Sequence, residues 1–120
     1  MAKKILVVDD SPTELKLVVA KLQSKGYQIV TAANGEEAMQ KATAEQPCLI
    51  VLDVVMPGKN GFQVCRSLKT NPATQSIKIL MLTSKSGESD KFWGIKQGAD
   101  GYLTKPFDES ALLTEVARLA

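Results

Sequence analysis

Three short runs in this chain contain no polar side chain: Ile-Leu-Val-Val at 5–8, Leu-Ile-Val-Leu at 49–52 and Ile-Leu-Met-Leu at 79–82. A strand with one face in water alternates apolar and polar residues. A strand apolar at every position must be covered on both faces, which is the signature of a parallel sheet sandwiched between helices. Two weaker runs, Gln28–Ala32 and Gly101–Leu103, complete a set of five with Ile5–Val8, Leu49–Leu52 and Ile77–Leu82. Their greater polarity suits the edges of the sheet.

The stretches between the runs carry helical spacing. Leu15, Val18, Val19 and Leu22 recur at i, i+3, i+4 and i+7 after a Ser11-Pro12 start. Ala38, Met39 and Ala42 mark a second helix, ended before Pro47, and Phe62, Cys65 and Leu68 a third, ended near Asn71-Pro72. Phe92, Trp93 and Ile95 mark a fourth, with Gly98 placed to stop it. Leu112, Val116 and Leu119 mark a fifth, with Asp108 as its cap. All these apolar residues are expected in the core. Trp93 is expected to be partly buried; the other reading is an exposed anchor for a partner. Strand and helix alternating through short connections predict an α/β fold, a doubly wound five-stranded parallel sheet flanked by five helices. Residues 1–120 are expected to form a single domain with no output domain attached.

Composition removes several kinds of chemistry. The chain has no histidine, so histidine bases, histidine metal ligands and Ser-His-Asp triads are excluded. Its 15 basic and 13 acidic residues leave a net charge of +2, too weak a balance to suggest direct nucleic-acid binding. No apolar run approaches the roughly 20 residues of a membrane helix, and the start reads as no signal peptide. A cytoplasmic protein without membrane insertion is expected. Cys48 and Cys65 lack a redox spacing and read as free thiols rather than a disulfide.

In an open parallel sheet, chemistry gathers at the carboxyl ends of the strands. Asp9 and Asp10 follow the first run, Asp53 the third, Thr83 and Ser84 the fourth, and Thr104, Lys105 and Pro106 the fifth. Any one of these residues alone is ordinary, since an Asp after a strand is usually a cap or turn residue. Together they are not. Clustered carboxylates repel unless a cation joins them. Oxygen donors without His or Cys suit a hard ion, magnesium or manganese. A carboxylate can also serve as a nucleophile toward phosphorus, with a lysine and a hydroxyl stabilising the transferred oxygens.

The motifs Val7-Val8-Asp9-Asp10-Ser11, Leu52-Asp53-Val54-Val55-Met56-Pro57-Gly58 with Gly61-Phe62, Leu82-Thr83-Ser84 and Tyr102-Leu103-Thr104-Lys105-Pro106-Phe107 resemble the receiver domains of bacterial response regulators, the CheY-like family. The resemblance implies strand order 2-1-3-4-5, Asp53 as phosphoacceptor, and Asp9, Asp10, Asp53 and the Val55 backbone carbonyl as the metal site. It implies that Lys105 pairs with the phosphoryl group through a loop with a cis Lys105-Pro106 peptide. It also implies that Thr83 and Tyr102 are the switch residues. A histidine kinase would donate the phosphoryl group, and a downstream effector protein would read the α4-β5-α5 surface of a monomer. The family is a phosphoacceptor switch rather than an enzyme with an external substrate. The stretches Asp10-Ser11-Pro12-Thr13-Glu14 and Lys91-Phe92-Trp93-Gly94-Ile95-Lys96-Gln97-Gly98-Ala99 are similar to receivers of the PilG and PilH type, from chemotaxis-like systems of type IV pili.

Three rivals share parts of this pattern. A flavodoxin-type flavin protein needs a Ser, Thr and Gly loop after the first strand, where this chain has Asp9-Asp10. A phosphatase with an aspartate nucleophile places a second Asp two residues on, where Val55 stands. A pseudo-receiver lacks an acid or the lysine, and here all are present. In the receiver family the residues two after the acceptor and two after the switch hydroxyl tune phosphoryl lifetime; here they are Val55 and Lys85. Lys85→Ala and Lys85→Glu are expected to lose a phosphoryl group at rates different from the parent. Equal decay in all three, followed by intact mass, would show that Lys85 has no such role.

Overall fold

A computed structural model of the protein describes residues 3–56, 58, 60–85 and 87–120. Pro57 of the Asp53 motif and Ser86, next to Lys85, lie outside the described residues. Among the described residues five strands and five helices alternate: β1 (Lys4–Val8), α1 (Pro12–Gln23), β2 (Gln28–Ala32), α2 (Gly35–Glu45), β3 (Leu49–Leu52), α3 (Gly61–Thr70), β4 (Lys78–Thr83), α4 (Glu88–Lys96), β5 (Gly101–Thr104) and α5 (Glu109–Leu119). All strand pairs are parallel, in the order β2-β1-β3-β4-β5. The fold class and strand order expected from the sequence are those observed.

The continuous apolar runs do supply both faces. Leu6, Val8, Ile50, Leu52, Ile79 and Met81 point to one side, where Ala38 and Ala42 of α2 and Val64, Cys65 and Leu68 of α3 cover them. Ile5, Val7, Leu49, Val51, Leu80 and Leu82 point to the other, against Val18 and Leu22 of α1 and Leu112 and Val116 of α5. The period of two within each run thus feeds two separate cores from one sheet. Burial on this scale, at roughly 25 cal/mol per Å² of apolar surface, is what holds the layers together. The edge strands β2 and β5 are the more exposed ones.

Helix α4 departs from expectation. Phe92, Trp93 and Ile95 are 59, 53 and 53% exposed, so none belongs to the core. The reason lies at Gly94, the one buried residue of the helix. A side chain there would meet Met81 Sδ at 2.9 Å and the Tyr102 ring at 2.9–3.0 Å. The helix therefore docks through bare backbone, and the apolar residues beside Gly94 are turned outward. Phe92 and Trp93 stack edge to face with centroids 6.4 Å apart, and Lys96 Nζ lies 5.4 Å from the Phe92 ring centre. Gly98, at φ +106°, ends this helix in the left-handed region as its sequence position suggested.

Both cysteines are free, on opposite sides of the sheet. Burial pushes the Cys65 thiol up to about 12. A thiol reagent at pH 8 is expected to modify the half-buried Cys48 in the native protein and Cys65 only after denaturation. Two equivalents reacting at equal rates under native conditions would contradict this packing.

Candidate functional site

The strand ends are brought into line by single backbone hydrogen bonds. Asp9 N–H donates to Ala32 O at 3.1 Å, Asp53 N–H to Val8 O at 3.1 Å, and Lys105 N–H to Thr83 O at 2.8 Å. Each bond carries the ladder one residue beyond a strand, so the residues that follow the apolar runs emerge on the same edge.

There the acids meet. One carboxylate oxygen from each of Asp9, Asp10 and Asp53 lies within 4.8 Å of the others. Asp9 and Asp53 are buried and Asp10 is exposed. Each buried acid is fixed by a turn of its own: Asp9 Oδ1 accepts from Ser11 N–H and Asp53 Oδ1 from Val55 N–H, both at 3.0 Å. Those bonds leave the Oδ2 atoms facing Lys105, whose Nζ lies 3.2 Å from Asp9 and 3.4 Å from Asp53. A third carboxylate, Glu14 of α1, reaches the same ammonium at 2.9 Å.

Close approach is needed to hold the Asp53 turn against α3. A Cβ at Gly61 would collide with the Asp53 carbonyl. Gly61 N–H donates to Val54 O at 2.9 Å. Helix α3 starts at that point through a closed capping box, in which Asn60 and Gln63 side chains each accept the other's backbone N–H at 3.0 Å.

The charges shift one another. Burial raises the Asp9 carboxyl above its usual range; the Ser11 N–H and Lys105 oppose this, and the Asp53 charge adds to it. Burial also works to lower Lys105, but the Glu14 hydrogen bond and the charges of Asp53 and Asp9 outweigh it, and the net shift is upward. A cation with a raised pKa contributes its stabilisation fully below the ordinary value of 10.5 and loses it only as pH rises through the higher folded value. At neutral pH, then, Lys105 is a fixed counter-charge.

Thr83 and Tyr102 meet on one residue. Thr83 is fully buried, and its Oγ1 accepts from Lys85 N–H at 3.4 Å; Tyr102 Oη donates to Lys85 O at 2.6 Å. Burial, aided by the charges of Asp90 and Asp53, pushes the Tyr102 phenol up to about 12. Val55 is exposed beside Asp53, and the Lys105-Pro106 peptide is cis. All the residues singled out in the sequence thus lie on this edge or on the adjoining β4–β5 surface. Glu14 is the member that sequence reasoning passed over: it stands in a quoted motif, but its spacing from Lys105 carries no signal.

Three carboxylate oxygens suit a magnesium ion, whose ligand distance of about 2.1 Å puts ligand oxygens at most about 4.2 Å apart. The three oxygens, all within 4.8 Å of one another, are gathered on nearly that scale.

Comparison with known proteins agrees with this geometry. The chain matches the response regulator receiver domain over residues 5–117 and belongs to that family. It is a CheY-like receiver of two-component signalling. Protein PilH of Pseudomonas aeruginosa is 45% identical over 113 residues, covering 94% of this chain and 93% of that protein, which supports the PilG/PilH-type resemblance. Some other curated relatives are longer, the chain spanning 26% of one and 44% of another. Among solved structures, the chemotaxis protein CheY4 of Vibrio cholerae superposes with a TM-score of 0.93 at 36% identity, covering all of both chains. The receiver domain of a Pseudomonas aeruginosa sensor histidine kinase, solved with magnesium in its active-site cleft, does so with a TM-score of 0.91 at 26% identity, covering 99% of this chain and 98% of that one.

Removing the shared cation should be costly. In magnesium-free buffer at pH 7, Lys105→Met is expected to destabilise the protein by about 1–3 kcal/mol, because it leaves Asp9 and Asp53 uncompensated. Asp53→Asn should raise stability under the same conditions, and denaturant titration of both variants checks the pair.

Proposed function

We propose that the protein accepts a phosphoryl group on Asp53 from a histidine kinase and thereby switches its α4-β5-α5 surface to control an effector protein. The observation that carries this reading is the position of Asp53: a buried carboxylate at the end of β3, 3.4 Å from Lys105 and within 4.8 Å of Asp9 and Asp10. Asp9, Asp10, Asp53 and the Val55 carbonyl would hold magnesium or manganese, which neutralises charge on the phosphoryl oxygens. The protein's own groups do the rest. An Asp53 oxygen attacks phosphorus as the bond to the donor nitrogen breaks, and Lys105 offsets the negative charge. The product is an acyl phosphate, whose lability resets the switch. With no histidine in the chain, the donor is another protein or a small phosphodonor.

The relay outward is supported by the contacts at Lys85. A phosphoryl group that draws the Thr83 hydroxyl toward it disturbs the Lys85 N–H contact, and the Lys85 carbonyl is what holds Tyr102. Phosphorylation then favours one of two pre-existing arrangements of the β4–α4 loop and α4. Phe92, Trp93 and Ile95 already face outward on α4, apolar and accessible to a partner. In the same reading residues 1–120 are one receiver domain, which the family match over residues 5–117 supports, and it acts as a monomer on a separate effector. The setting is chemotaxis or pilus-driven motility, supported by the likeness to PilH and CheY4. Among the described residues no helix is long and apolar enough to cross a membrane.

Incubation with acetyl phosphate and magnesium should add one phosphoryl group by intact mass. The gain should vanish in Asp53→Ala and on chelation of the metal. Magnesium binding without any mass gain would replace this reading with a binding module that uses the receiver fold without phosphorylation.

A further inference from the structure

Glu14 has no part in the function proposed above, yet it makes the shortest of the three carboxylate contacts to Lys105, at 2.9 Å against 3.2 Å for Asp9 and 3.4 Å for Asp53. The start of α1 explains why its side chain is available. Ser11 caps the helix by accepting from Glu14 N–H at 3.4 Å, and Ser-x-x-Glu is the spacing of a capping box. In a closed box the glutamate folds back onto the N–H of the cap residue. Here that N–H is already donated to Asp9 Oδ1. Helix α3 shows the closed form, with Gln63 returned to Asn60. Glu14 instead extends across to the β5–α5 loop and takes Lys105.

An ammonium has three protons to donate. At rest Lys105 meets three carboxylates, Asp9, Glu14 and Asp53. A phosphoryl oxygen arriving at Asp53 needs one of those donors. Asp9 is buried and tied to Ser11, whereas the Glu14 side chain is 47% exposed and can be hydrated when released. Glu14 is therefore the partner that yields at least cost. We propose that Glu14 is a positioning residue that holds the Lys105 ammonium at rest and competes for it with the phosphoryl group on Asp53. This inference rests on the phosphorylation reading. It has a consequence at the surface: Glu14 and Lys105 share the wall of a pocket of about 450 Å³ with Leu17, Val18, Lys21 and Phe107. Phosphorylation releases a bare carboxylate at its rim.

The test compares the parent with Glu14→Gln and Glu14→Asp. Uptake from phosphoramidate with magnesium is timed by intact mass, and the Lys105 ammonium is followed by nitrogen-15 NMR. Aspartate keeps the charge but is one methylene shorter, so it separates contact from general repulsion of the donor. Both variants should take up the group about two- to five-fold faster, the size expected for loss of a partly exposed ion pair. Both should also shift or broaden the Lys105 ammonium signal. Acceleration in Glu14→Gln with parental behaviour in Glu14→Asp would overturn the contact in favour of net charge. Equal uptake rates in all three proteins, or an unmoved ammonium signal in both variants, would overturn the role of Glu14 while leaving the phosphoacceptor intact. No uptake by the parent would overturn the underlying function itself.

Discussion

A carboxylate at the end of a buried strand loses water and, in this sheet, gains another carboxylate as neighbour. Lys105 is what the chain sets against both costs. Its ammonium lies among Asp9, Glu14 and Asp53, and these acids keep it firmly charged although its burial works against the charge. The arrangement is balanced in a particular sense. One cation facing three acids leaves the edge short of positive charge, which suits it to a hard divalent ion. The backbone bonds from Asp9, Asp53 and Lys105 to the neighbouring strands fix where the charges begin, and the turns at Ser11 and Val55 fix which oxygen each acid presents.

Much of this was legible in the sequence. A four-residue apolar run with no polar partner can be satisfied only by cover on both faces, so the three central strands announced the sheet and its helices. The polar residues just after those runs then had one place to go. Asp9, Asp10, Asp53, Thr83 and Lys105 could be placed on the same edge because each stands within two residues of the end of one of the five runs. What resisted reading were contacts that depend on side-chain reach across the fold. Glu14 lies on α1 and Lys105 beyond β5, 91 residues apart, and no local period links them. The same holds for Lys69, which donates to Asp100 at 2.9 Å and to Ile77 O at 2.8 Å.

Helix α4 failed for a different reason. Phe92, Trp93 and Ile95 suggested an apolar face, but a helix can also dock by what it lacks. Gly94 brings its backbone against Met81 and Tyr102, and no pattern of hydrophobic residues advertises a contact of that kind. The aromatic residues that would have formed the core are displaced to the outside, which is where a partner would need them.

The two ends of α4 are held very differently. At its C-terminal end Cys65 Sγ donates to Gln97 O, and the Asp100 carboxylate accepts from Ile79 N–H and from Lys69. At its N-terminal end Gly87 offers no side-chain cap. A displacement that kept the first set of bonds and left the helix straight would swing it about its far end, near Gly98. For a helix of nine residues, rising 1.5 Å each, a swing of about 10° moves the first turn by about 2 Å. The lever would then be longest beside Thr83 and Lys85 and shortest where α4 leaves for β5.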